Sequence, residues 1–578
     1  MYKCNNIEDF LKLKVGFPYK NLYYNDAQIH KMFVNSQNIK FDDRVFDGEY
    51  YTIHNIKLNK YQLLFMNQPR ILIHKSSDYE KFEILSDMFQ EKNRIKCKFF
   101  SAPMTPEEYF FKNKKELAMK LLNKKQDITP YNLREILYEN IKECSAFKVA
   151  NMIYLIKLFN VKSVLDPSSG WGDRLLGALA TDIRYVGVDP NTLLHADYDK
   201  IINFFKHTKK ITMLNSTIQA VKLPNEKFDM VLTSPPYFKI EKYSNYGEVK
   251  DKNEHEWFNN FMIPMIDKSI KYINNNGHLV IIINQLPNEN YVKKLIDYVY
   301  TYPNMVYLGV ISYTDIKKTN PQPMWIWQKC KKIPEQLYNP EMIISSYKYN
   351  KINFNVFRDD FLIGGTKQRG LIPMIAKIKE SNIVYASPPQ GYAQIALSFA
   401  AKLTHKNVKL FINKLPQKTN LTKYAESFGN TTVYELNAPL DKLQQEANKL
   451  KDSNHYIISF GADDPLFIKE LYNSLKKIIN IQPKCIWLVA GSATILKVLY
   501  KIFPKTFFNV VQVGKKIWPD QLESNRTKLY ISSEKFYDIA EYQPPYPTVG
   551  TYDAKLWVFF MKYGQNGDYI WNVGKDIN

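Results

Sequence analysis

Between Ser163 and Lys329 the chain alternates apolar runs with helical stretches: KSVLD, RLLGALA, RYVGVD, a helix near His195 to Phe205, ITML, FDMVLT, a helix near Trp257 to Tyr272, and HLVIIIN. Such alternation predicts an α/β unit with a mostly parallel, Rossmann-like sheet, because each strand must return through a helix that covers the sheet. Two further apolar runs, Val306 to Tyr313 and Met324 to Gln328, are joined by the polar TDIKKTNPQP and predict a closing antiparallel pair. From Pro130 apolar residues recur every three or four positions, so amphipathic helices lead into this unit. A second alternating α/β region occupies 351–578, after the proline-containing, weakly periodic stretch 331–350 that is expected to be a linker. The expected organisation is therefore an N-terminal region 1–130, an α/β domain 131–330, the linker, and a second α/β domain 351–578. Several domains are the rule for 578 residues.

Lysine and arginine number 79 against 57 acids, a net charge of +22. That excess favours a polyanionic partner through counterion release, so nucleic acid is the first partner to expect. The five cysteines lie far apart without a CxxC pair, which speaks against a zinc ribbon or a disulfide framework and for a reducing compartment. No metal is expected. No run of eighteen apolar residues occurs and the start carries no apolar leader, so the expectation is a cytoplasmic protein without a membrane partner. Abundant Asn, Lys, Ile and Tyr accompany AT-rich genomes, viral ones included.

At the end of the first strand stands Asp166-Pro-Ser-Ser-Gly-Trp-Gly-Asp-Arg174, followed at once by an apolar helix. Gly170 and Gly172 permit a tight turn and a close approach of backbone N–H groups to a ligand, and Asp173 is placed to cap the helix. The second strand ends in Asp189, 23 residues after Asp166, close to the ~20-residue interval at which an acid reaches ribose hydroxyls. Two carboxylates flanking a glycine turn suit a ligand with hydroxyls and a positive centre. The loop resembles the first motif of S-adenosylmethionine-dependent methyltransferases acting on amino groups, Asp-Pro-x-x-Gly-x-Gly. The resemblance implies that Asp166, Ser168, Gly170 and Gly172 surround the methionine moiety and that Asp189 holds the ribose. Where many members place an acid against adenine, this chain has Asn215-Ser216, and Ser216 is the expected contact.

The fourth strand, FDMVLT, runs into Ser234-Pro235-Pro236-Tyr237. An exocyclic base amine is a poor nucleophile, because its lone pair is delocalised into the ring. A site must hold both amine hydrogens and draw the nitrogen in line with the methyl donor. The Ser234 hydroxyl and the Pro235 carbonyl are suitable acceptors, the prolines stiffen the loop, and Tyr237 offers a ring for an extruded base. The tetrapeptide resembles the (Asp, Asn or Ser)-Pro-Pro-(Tyr, Phe or Trp) pattern of adenine and cytosine amino-methyltransferases. Serine is commoner in members whose two motifs run in the opposite order. No recognition insert follows Tyr237, and the resemblance leaves target recognition to 1–130.

In the second half, Phe357-Arg-Asp-Asp-Phe-Leu-Ile-Gly-Gly-Thr-Lys367 resembles the segment of fold-type II pyridoxal-phosphate enzymes in which Arg-Asp-Asp leads to Gly-Gly-Asn-Lys. The resemblance makes Lys367 the lysine that bonds the cofactor aldehyde. Its amine must sit beside small residues and be partly desolvated. After the run IWLV comes Ala490-Gly491-Ser492-Ala493-Thr494 and an apolar helix, where that family has its phosphate cup; Gly491, Ser492 and Thr494 are the expected contacts. The loop Ser387 to Ala393 precedes another helix and is expected to meet substrate carboxylate or the cofactor ring. The match resembles phage and giant-virus proteins associated with base hypermodification more than metabolic enzymes, and the tail YDAKLWVFF departs from ordinary members.

The leading expectation is thus a nucleic-acid base methyltransferase, on DNA ahead of RNA, using S-adenosylmethionine and fused to a pyridoxal-phosphate type domain. Two rivals remain. One is a binding or virion protein that keeps both folds without turnover. The other is methylation of a small molecule or a protein, which the Pro-Pro-Tyr loop and the charge disfavour.

Overall fold

The computed structural model describes the chain except residues 1, 41–44, 48–51, 55–69, 74–81, 100, 207–209, 237, 239–240, 243–252, 285–289, 315–322 and 578. The apolar run 61–66, the connection 315–322 and Tyr237 thus lie outside the described residues. The chain divides into two compact units, Met1–Lys331 and Lys332–Asn578.

In the first unit, strands β1 (Ser163–Asp166), β2 (Arg184–Asp189), β3 (Ile211–Asn215), β4 (Phe228–Thr233), β5 (Ile273–Ile282), β6 (Met305–Thr314) and β7 (Pro323–Lys329) lie in the order β6-β7-β5-β4-β1-β2-β3. All are parallel except β7, which runs antiparallel to both β5 and β6. Short strands Arg70–Ile73, Val45–Asp47 and Thr52–His54 extend the sheet beyond β6. The expected parallel sheet and its antiparallel closure are both present. Strands β1, β2 and β4 are buried almost throughout, which is why their sequences read as continuous apolar runs and not as alternation.

The strand order reverses between β1 and β4: the chain winds outward through β2 and β3 on one side, and through β4 and β5 on the other. Sheets of this kind open a crevice at the carboxyl ends of the strands at such a reversal. Helix α3 (Asp173–Ala180) packs on β2 and against α2 (Val149–Phe159), while α4 (Thr192–Phe204) packs on β3 and against α1 (Asp87–Arg94). Helix α1 was expected to belong to a separate N-terminal region, yet it is bonded into the α/β unit. Gln90 donates to the Leu194 carbonyl at 2.9 Å, and Asn93 donates to Asp197 at 3.0 Å.

The second unit holds two sheets. In one, β8 (Ile344–Tyr349), β9 (Ile352–Arg358), β14 (Cys485–Ala490), β15 (Phe507–Gln512), β16 (Thr527–Ile531) and β17 (Tyr569–Asn572) take the order β8-β9-β17-β14-β15-β16. Only the β8–β9 pair is antiparallel. The other sheet is wholly parallel, with β10 (Asn382–Ser387), β11 (Asn407–Asn413), β12 (Thr431–Leu436) and β13 (His455–Ile458) in the order β12-β11-β10-β13. Both units are α/β with mostly parallel sheets. The expected linker 331–350 is replaced by a helical turn, Glu335–Tyr338, and by β8, an edge strand whose residues alternate between exposed and half-buried.

Candidate functional site

The glycine loop follows β1 and the Ser-Pro-Pro loop follows β4. These two strands are hydrogen-bonded neighbours with Leu165 opposite Val231, so both loops leave the same edge of the sheet side by side at the reversal. Gly170 and Gly172 have φ of +60° and +90°, a region that side-chain-bearing residues rarely occupy, and the turn depends on them. Ser234 is half-buried and Pro235 buried, and the Thr233 hydroxyl beside them has no hydrogen-bond partner among the described residues. Asn215 and Ser216 lie at the carboxyl end of β3, on the same edge.

The two loop carboxylates differ in role. Asp166 is fully buried and engaged: Arg174 Nε donates to it at 2.6 Å, the Tyr185 hydroxyl at 2.7 Å and the Ser168 N–H at 3.2 Å. Arg174 also bonds the Ser168 carbonyl. Asp166 therefore shapes the loop from beneath. Such a partnership could not be read from the sequence, although Arg174 closes the same motif.

Asp189 is also buried, but backbone amides alone hold its side chain. The N–H groups of Gly170 and Asn191 donate to its two oxygens at 2.8 and 2.9 Å, leaving further lone pairs. Burial lifts its pKa to about 6 against the pull of those amides. Asp173 does not cap α3; it accepts from the Ser86 hydroxyl at 2.6 Å, and burial lifts it to about 7. Ser86 and the neighbouring Glu83, which accepts from the Val149 and Ala150 N–H groups, were not found from sequence. Neither stands in a recognisable motif.

In the second unit a cavity of about 360 Å³ opens where parallel strands end. It is lined by residues that follow β10 (Pro388, Gly391), β13 (Phe460, Gly461), β14 (Gly491, Ser492), β15 (Val513, Gly514) and β17 (Val573). Lys367, in the first turn of α5 (Gly365–Ile375), reaches into it, and its Nζ donates to the Gly461 carbonyl at 2.7 Å. The amine is enclosed by protein but faces the cavity. Burial pushes its pKa down to about 8, opposed only in part by Asp463.

The Arg-Asp-Asp segment explains how the lysine is held. Asp359 accepts from Thr366 at 2.7 Å and from Arg369 Nη2 at 2.8 Å, so one carboxylate pins α5 on both sides of Lys367. Arg358 pairs bidentately with Asp360 at 2.7 and 2.8 Å. Opposite Lys367, Ser492 and Thr494 bring their hydroxyls within 3.0 Å of each other at the start of α6 (Thr494–Ile502). Gly461 has φ +76°, and a Cβ there would strike Ser492.

The cavity thus brings together Lys367, the Gly491–Thr494 loop and the Ser387–Ala393 loop. It adds residues not found from sequence, Tyr385, Phe536 and Tyr552, which come from separate segments without a shared motif. Asp553, next to Tyr552, is buried, with the Val573 and Gly574 N–H groups turned toward its carboxylate. Burial drives its pKa far above the carboxylate range, with Asp360 and Asp576 adding to the rise.

No family model matches the chain, and no curated protein matches it. Among solved structures it is similar to an ACC deaminase homologue, with 15% identity over 40% of this chain and 89% of that one at a TM-score of 0.34. It is similar to a threonine deaminase from T.th., with 14% identity over 39% of this chain and 89% of that one at 0.31. It is also similar to the M. jannaschii tRNA m1G37 methyltransferase, with 16% identity over 32% of this chain and 52% of that one at 0.23. These likenesses are partial. Among the described residues no group of three or more His, Cys, Asp or Glu is placed to hold a metal ion, and no helix is long and apolar enough to cross a membrane.

Proposed function

We propose that the first unit is an S-adenosylmethionine-dependent methyltransferase acting on an amino group of a nucleic-acid base, DNA ahead of RNA. The observation that carries this reading is the placement of the glycine loop and Ser234-Pro235-Pro236 side by side at the strand-order reversal. The crevice fits the cofactor: a turn that dispenses with Cβ atoms at two positions, the free lone pairs of Asp189 for ribose hydroxyls, and Ser216 on the adenine side. Bound there, S-adenosylmethionine supplies a methyl group on a positively charged sulfur. The Ser234 hydroxyl oxygen and the Pro235 carbonyl accept the two amine hydrogens, which turns the nitrogen lone pair toward the donor. Tyr237 is assigned to stacking on the base. Ser234→Ala is expected to retain cofactor affinity by calorimetry and to lose transfer. Wild-type transfer rates in that variant would remove Ser234 from the site.

The second unit is proposed to hold pyridoxal phosphate. The fit rests on the desolvated Lys367 amine and on the Gly491, Ser492 and Thr494 loop at a helix start for a phosphate. The cofactor supplies an electron sink when bound. Lys367 is the cavity's base near neutral pH, since burial holds Tyr385 at about 12 and Tyr552 higher still. Both units would then act on the same class of target, one adding a methyl group and the other elaborating a base. Loss of a visible absorbance band in Lys367→Ala, after reconstitution with pyridoxal phosphate, tests the second assignment.

A further inference from the structure

The turn after β1 has little of its own to hold it. Gly170 and Gly172 carry no side chain and stand at positive φ, so contacts from outside must fix the conformation that a ligand meets. Helix α4 supplies them. Tyr198, fully buried, donates its hydroxyl to the Gly170 carbonyl, and its ring lies 3.6 Å from where a Cβ on Gly172 would stand. One turn before it, His195 Nε2 donates to the Asp189 carbonyl at 2.8 Å, and its ring meets that of Tyr198 edge-on. Since the Gly170 N–H is bonded to the Asp189 carboxylate, one helix holds both walls of the crevice.

Helix α4 is in turn held by polar contacts. Gln90 and Asn93 of α1 bond the Leu194 carbonyl and the Asp197 carboxylate, and Ser86, just before α1, bonds Asp173 beside the turn. A neighbouring face of α1 is tied to other N-terminal residues. Glu91 accepts from the Lys20 N–H at 2.6 Å and pairs with Arg134, and Arg94 donates to the Cys144 carbonyl at 3.0 Å. Hydrogen bonds are directional, so such a chain of contacts resists sliding in a way that apolar packing does not.

We propose that Tyr198 is a positioning residue that preorganises the 170–172 turn for its ligand, and that α1 sets the position of Tyr198 through Gln90 and Asn93. Residues 86–94 thereby serve the cofactor site from outside it. The ligand's identity rests on the methyltransferase reading; the bracing of the turn does not.

The test uses the full chain, with S-adenosylmethionine as the calorimetric probe and hydrogen exchange of the unliganded protein as a measure independent of it. Tyr198→Phe keeps the ring and removes the hydroxyl. It is expected to weaken cofactor affinity about fivefold, the loss of one hydrogen bond, and to raise the cofactor KM while leaving kcat within about twofold. Gln90→Met with Asn93→Leu, which reaches the turn only through α4, is expected to cost about threefold. In both proteins the peptide covering 166–174 should exchange faster, with the β4 and β5 peptides unchanged. Leu295→Ala is the control. It truncates a buried residue in the helix Tyr291–Tyr300, which packs on β6, separated from β1 by three strands. It should lower stability without moving affinity or exchange in the turn. Unchanged exchange and affinity in Tyr198→Phe would overturn the proposal, as would equal losses in Leu295→Ala. If the wild type takes up no S-adenosylmethionine, the methyltransferase reading fails, and the exchange of 166–174 alone decides whether the brace exists.

Discussion

Removing the charge-bearing end of Lys367 gives a test whose size follows from its surroundings. The amine has a pKa of about 8 in place of the ordinary 10.5, because protein encloses it. At pH 7.5 roughly a quarter of these amines are free base, against about one in a thousand for an exposed lysine, a ratio on the order of 200. Brief treatment with pyridoxal phosphate and borohydride, followed by peptide mass spectrometry, should therefore label Lys367 well ahead of the other lysines. Its labelling rate should level off above about pH 8. The same shift affects stability. Since the folded pKa lies below the unfolded one, the unfolded chain binds more protons between about 8 and 10.5. The second unit should gain stability as pH rises through that window, by roughly 3 kcal/mol at most. Lys367→Met should abolish the rise and stabilise the unit at pH 7. A Lys367 that is labelled no faster than surface lysines, with a rate still climbing at pH 10, would refute the desolvation argument.

Other expectations follow from the same geometry. Gly170→Val should lose S-adenosylmethionine affinity in a folded protein, because valine resists φ of +60°; calorimetry reads this directly. Arg174→Met leaves Asp166 buried without its charge partner and should destabilise the first unit by about 3–5 kcal/mol in denaturant unfolding. Asp173 has a folded pKa of about 7, above its unfolded value of 3.8, so its contribution to stability is present at low pH and lost as pH rises through that interval. Asp173→Asn should keep the Ser86 hydrogen bond and reduce the pH dependence, with Glu83 and Asp189 contributing to what is left.

The parts of this architecture that were legible in the sequence are those written locally. The glycine turn, Ser234-Pro235-Pro236 and the Gly491–Thr494 loop each sit where an apolar run stops, and a strand end can be recognised without knowing its neighbours; Lys367, in the first turn of a helix, was marked by the glycines before it. The parts that were not legible depend on long-range partners. Helix α1 reads as a polar segment, DMFQEKNR, yet Asp87, Gln90, Glu91, Asn93 and Arg94 are all buried. Ion pairs of Asp87 with Lys20 and Arg94, and of Glu91 with Arg134, replace apolar contacts there, so hydrophobic periodicity could not join 1–130 to the sheet. The partners of Asp166 were not legible either, because Arg174 and Tyr185 are brought to it only by folding. Strand β8, ISSYKY, is an edge strand with no fully buried residue, and its sequence passes for a linker.

The central claim is that the crevice between β1 and β4 methylates a base amino group. Its most direct test is to incubate the full protein with nucleic acid and methyl-labelled S-adenosylmethionine, digest the product, and identify the labelled nucleoside by mass spectrometry. The account predicts label on an exocyclic nitrogen of adenine or cytosine, absent with Ser234→Ala and with Gly170→Val. Label on protein or on a base carbon, or none at all from a protein that binds the cofactor, would contradict it.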